Sequence, residues 1–153
     1  MGMLTNKDYG TTPLQRILAP GIKRCSLGDV REVDRKVNED GSPGKGPKSK
    51  VLINLTLEES AQTTDKDTVG AGFPFLVTIN EWDGREEEAR AEMRELALAV
   101  LGKERASKDD VIAAVDAAGG YAGLKGRHFL VEVTVDKGGF QQVKSYNRVQ
   151  NGA

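Results

Sequence analysis

Cysteine, histidine and aromatic residues are scarce in this 153-residue chain, which holds one Cys, one His and aromatics at 5%. The lone Cys25 has no intramolecular disulfide partner, so nothing points to an oxidising compartment. The lone His128 stands beside Arg127 with no Cys, His or acid at a metal-ligand spacing, which argues against a zinc site. A Cys25 nucleophile would need His128 as its base, and no motif brings the two together. No apolar run reaches the ~20 residues that span a membrane. The N-terminal MGMLTNKDYGTT has no basic-then-apolar leader, so a cytoplasmic location is expected. Charge of one sign is lacking too, since the net charge of −1 excludes a generic polycation that coats nucleic acid. A non-enzyme without cofactors is the expectation.

What is present is a segregated charge. Residues 21–50 hold eight Lys or Arg against five acids, and residues 124–149 hold five against two. Acid collects between them, six residues against one base over 51–83. One positive face on a neutral protein would follow if the two basic segments met in space. The length fits one domain with its own core. It divides into an arm over residues 1–20, a body over 21–149 and a short tail over 150–153. In the arm, Leu14, Ile17 and Leu18 have the spacing of a short helical turn laid on the body.

Periodicity supplies the elements. Ile22–Val37 reads as a long strand, and Gly28 within it marks a bulge or a sharp bend. Asn38–Lys50 is a Gly, Pro and Lys loop. Its Gly41 and Gly46 have the separation of a phosphate-binding P-loop, but Pro47 stands where that motif needs lysine, and a strand follows instead of a helix. A mobile basic loop is expected, with Lys45, Lys48 and Lys50 as phosphate-contacting residues. Val51–Glu58 alternates as a second strand, Ser60–Gly72 reads as a flexible connection, and Phe73–Trp82 as a third strand with Pro74 at its start. The period then changes. Asp83 and Glu86 form a capping box, and Ala89, Met93, Leu96, Ala97, Val100 and Leu101 make one apolar stripe that Gly102 ends. Ser107 and Asp110 open a shorter helix with Val111, Ile112, Val115 and Ala118.

The stretch 126–149 closes the chain as a hairpin. Phe129, Val131, Val133 and Val135 alternate with Leu130, Glu132, Thr134 and Asp136, and Lys137-Gly138-Gly139 makes the turn. On the return strand, strict alternation puts Phe140, Gln142, Lys144, Tyr146 and Arg148 on one face. Two aromatics beside two cations suit stacked bases and phosphates. The candidate nucleic-acid-binding residues are therefore Lys45, Lys48, Lys50, Trp82, Arg127, Lys137, Phe140, Lys144, Tyr146 and Arg148.

Five strands with a helical insert between the third and fourth give an α+β, mainly β, chain with the layout of the OB-fold, a partly open Greek-key barrel. An antiparallel α+β sandwich is the alternative. The segments KVLINLTLEE, the helix ending ALAVLG, and LKGRHFLVEVTVDKGGFQQVKSYNRV resemble the OB-fold, single-stranded-DNA-binding-like proteins of bacteriophage replication modules, over roughly residues 21–149. The resemblance implies a non-catalytic protein of DNA replication or recombination in the host cytoplasm. Its implied partners are single-stranded DNA together with a second copy or replication proteins, and not a membrane. The chain departs from that pattern in its ending VQNGA, which lacks the acidic tail many such proteins use to recruit partners. A protein-docking or virion-structural module is the competing expectation.

Overall fold

The computed structural model describes residues 17–149. Its first strand, β1 (Gly21–Asp34), crosses the whole sheet, and the bend expected at Gly28 is a bulge between Leu27 and Val30. A Cβ on Gly28 would lie 2.9 Å from the Asn54 carbonyl oxygen, so only glycine lets β1 come this close to its neighbour. β2 (Ser49–Leu57) returns antiparallel to β1, and β5 (Pro74–Glu81) returns along β2. Pro74 starts a strand at the sheet's edge, where its missing N–H costs no ladder bond. The short strands β3 (Ala61–Gln62) and β4 (Thr68–Val69) pair with each other inside the segment expected to be a flexible connection. Two-residue strands are too short to carry a period. The hydroxyl of Thr63 bonding the Asp67 carboxylate closes their turn.

Leu18 bridges to Thr63 and is fully buried, so Ile17 and Leu18 continue this small ribbon and do not form a helical turn. Leu14 with the rest of residues 1–16, and the tail, lie outside the described residues.

Helix α1 (Glu86–Leu101) carries the expected stripe. Leu96, Ala97, Val100 and Ala89 are buried, while Met93 and Leu101 pack at its margin. Gly102 ends it in the left-handed region at φ 75°. The expected capping box between Asp83 and Glu86 does not form. Glu86 accepts a bond from the Gly84 N–H at 3.0 Å, but Asp83 turns away to Arg35 and the N-cap is Arg85. α2 (Lys108–Ala117) is capped by Ser107 as expected, whose hydroxyl accepts from the Asp110 N–H at 3.2 Å. Of its apolar residues Val111 is buried and Ile112 is exposed. A single further turn, α3 (Gly120–Leu124), delivers fully buried Leu124 to the core.

β6 (His128–Val135) and β7 (Gln141–Asn147) complete a five-stranded antiparallel sheet in the order β5-β2-β1-β6-β7. The expected barrel is not closed among the described residues: no ladder there joins the edge strands β5 and β7. They approach at one point, where the Gln141 Nε2 donates to the Leu76 carbonyl at 3.3 Å. α1 packs against β7, β5 and β6, covering the inner face where the edges fail to meet. Ile53, Leu55, Leu57, Phe129, Val131 and Val133 fill that inner face. Each such side chain contributes about 1.5–3 kcal/mol on leaving water. No helix among the described residues is long and apolar enough to cross a membrane.

Candidate nucleic-acid interface

Strand register decides which side chains the sheet turns outward. Along β2 and β5 the buried residues Ile53, Leu55, Val77 and Ile79 alternate with their neighbours, so those neighbours form the outer face. Paired rows run across it: Val33, Lys50 and Asn80; then Arg31, Leu52 and Thr78; then Asn54 and Leu76. Trp82 follows directly at the end of β5 and is 44% exposed. The face thus offers two cations, three amide or hydroxyl side chains and an apolar surface. Of these residues the sequence pattern singled out only Lys50 and Trp82. Arg31, Leu52, Asn54, Leu76 and Asn80 become legible only once the pairing partners are known.

Two loops border this face. The segment from Arg35 to Lys48 is held by its own hydrogen bonds. The Asn38 N–H donates to the Ser42 carbonyl, the Gly44 N–H to the Lys36 carbonyl and the Arg35 N–H to the Lys48 carbonyl, and Val37 bridges Pro43. Its base is clamped to the approach of α1. Arg35 Nη1 lies 2.7 Å from Asp83 Oδ2 and 3.3 Å from the Gly46 carbonyl. Lys48 Nζ sits between Glu81 and Glu86, at 4.0 and 3.9 Å. The second loop is the β6–β7 turn. Asp136 Oδ1 accepts from the N–H groups of Gly138 and Phe140, both at 2.9 Å. The bond from Phe140 is the main reason its carboxyl is held below the usual range. That turn leaves Phe140 67% exposed next to Gln141, whose amide reaches β5 at Leu76.

The expected sharing of one face by Phe140, Lys144, Tyr146 and Arg148 does not occur. Glu132 pairs with Ser145, but Val133 pairs with Val143, so Lys144 is the extra residue of a β-bulge. One extra residue reverses the alternation, and Tyr146 lands on the inner face opposite Val131. Its ring is 4% exposed and lies against Phe129 at 6.4 Å between centroids. Tyr146 is therefore a core residue, not a stacking platform. Burial pushes its hydroxyl pKa up, and no hydrogen-bond partner among the described residues reaches that oxygen.

The other candidates divide by their partners. Lys144 faces Glu132 at 3.7 Å, and Arg148 holds Glu104 at 2.5 Å. Lys45, Lys50, Arg127 and Lys137 have no ion-pair partner among the described residues. Arg127 stands apart from the β2–β5 face, at the entry to β6. Cys25 is fully buried, its thiol pushed up to about 12 chiefly by that burial, so no thiolate is on offer at neutral pH. Among the described residues no three His, Cys, Asp or Glu side chains gather where a metal ion could be held. Compared with known proteins, the chain matches no family model and no curated protein, so its own residues carry the reading of this face.

Proposed function

We propose that the chain binds single-stranded nucleic acid, DNA by its resemblance, without catalysing a reaction, across the outer face of β2 and β5. The observation that carries this reading is the position of that face between two loops, one basic and one bearing an exposed aromatic ring. In an OB-fold, oligonucleotides cross the second and third strands of the barrel and are gripped by the first-to-second and fourth-to-fifth strand loops. Strand order β5-β2-β1-β6-β7, with the helices inserted between β5 and β6, supports the same layout in a barrel left open at one seam. Lys45 and Lys50 supply phosphate charge, and Lys48 adds its own when a phosphate displaces Glu81 and Glu86. Trp82 and Phe140 supply base-stacking surface, and Asn54 and Asn80 supply amides.

The competing reading is a protein-docking module. It is favoured by the ion pairs that already engage Lys48, Lys144 and Arg148, and by the exposed apolar side chains Leu76, Val33 and Trp82. Fluorescence anisotropy with labelled poly-dT at two salt concentrations separates the two. Strand binding predicts saturable binding that weakens as salt rises. Absence of binding at low salt overturns it in favour of docking.

A further inference from the structure

A second cluster lies away from the β2–β5 face. Ser26 of β1 pairs with His128 of β6, which puts Arg24 and His128 on the same outer face as diagonal neighbours. Arg127 precedes His128. These three residues line a depression of about 240 Å³ whose remaining wall includes Leu101, Gly102 and Val149.

Glu58 organises the cluster from beneath. Its Oε2 lies 2.6 Å from His128 Nδ1, and its Oε1 lies 4.0 Å from Arg24 Nε. With Nδ1 turned to this carboxylate, Nε2 is the ring nitrogen left for a ligand. The side chain of Glu58 is 22% exposed, against 46% for Arg24 and 54% for His128. The carboxylate is thus the least exposed of the three and forms no part of the wall. With a neutral imidazole the four groups keep one net positive charge, and with a protonated one they keep two.

We propose that Arg24, Arg127 and His128 form a site for a nucleotide phosphate. Guanidinium groups match the spacing of phosphate oxygens and hold them through charge-assisted bonds. Apolar Leu101 and Val149 beside the charges give the attached sugar a surface to lie on. The volume is several times the ~30 Å³ share of one water molecule, which is room for more than a bare ion. The phosphate belongs either to a free nucleotide or to a strand.

The site does not depend on strand binding at the other face, and one titration series tests both. Amide NMR of the full chain follows inorganic phosphate, thymidine monophosphate, thymidine and a dT oligonucleotide at constant ionic strength. Phosphate and the monophosphate should shift Arg24, Gly102, Arg127 and His128 saturably, and thymidine should not. Replacing Arg24 or Arg127 by Ala should weaken phosphate binding roughly tenfold each, with unchanged melting. No saturable shift, or an equal shift in the double variant, overturns the site. A chain that binds phosphate here and ignores the oligonucleotide sustains this site and sinks the strand-binding reading. A chain that binds the oligonucleotide with these amides unmoved by phosphate does the reverse.

Discussion

β6 and β7 are neighbours in one hairpin with similar alternating sequences, yet only β6 keeps its alternation. Phe129, Val131 and Val133 all point inward without exposure, as spacing alone dictates. In β7 the bulge at Lys144 resets the phase, and the inward residues become Val143 and Tyr146. The difference teaches that period 2 is a property of an unbroken ladder. A single extra residue exchanges the core face and the solvent face downstream of it. It also separates the two aromatics that follow the turn, Phe140 outside and Tyr146 inside.

The sharpest way to break that comparison is to truncate each ring. Tyr146→Ala empties a core position against Phe129 and should cost about 3–5 kcal/mol, the range for large aromatic truncations. Melting should fall steeply, while the folded fraction keeps its oligonucleotide affinity. Loss of affinity at unchanged melting would return Tyr146 to the surface and remove the bulge from the account.

Phe140→Ala should do the opposite. Its ring is mostly exposed, so melting should hardly move, whereas base stacking on an aromatic is worth about 1–3 kcal/mol. Poly-dT binding should weaken roughly tenfold. A wild-type affinity would take the β6–β7 turn out of the interface.

The turn itself has a pH signature. Asp136 accepts two backbone bonds as a carboxylate, so its folded pKa lies below the unfolded value of about 3.9. A depressed folded pKa means stability that is present above the unfolded pKa and is lost as pH falls through the folded one. Asp136→Asn should therefore narrow its melting-temperature gap from the wild type below about pH 4. A gap independent of pH would mean that the carboxylate does not order the turn.

Most of the fold was legible because long strands and the α1 stripe repeat their signal over several residues. The ribbon of β3 and β4 was not, having two residues per strand. Nor was α3, whose single turn has no period to detect. The capping box failed at Asp83 because Arg35, distant in sequence, offered that carboxylate a charged partner in place of a helix N–H. The candidate site was half-legible for a related reason. Lys45, Lys50 and Phe140 announce themselves by composition, but Leu52, Asn54 and Asn80 enter only through cross-strand pairing. The ion pairs of Lys48, Lys144 and Arg148 are likewise invisible along the chain.

Those pairs give the smallest expected effect, at the border of the β2–β5 face. Lys48 is shared by Glu81 and Glu86 at about the limit of an ion pair, and it is half-exposed. Exposed pairs are worth about 0–1 kcal/mol, so the clamp is easily displaced by a phosphate and costs binding little. Glu81→Gln with Glu86→Gln should free the lysine and remove two nearby negative charges. Oligonucleotide affinity should then rise by about fivefold or less at low salt, and the gain should shrink as salt screens the charges. Lys45, which has no acidic partner among the described residues, provides the contrast: Lys45→Ala should lower affinity and reduce the salt slope by about one. If the double glutamine variant binds no better at any salt concentration, Lys48 is a structural tether of the loop and not a ligand for phosphate.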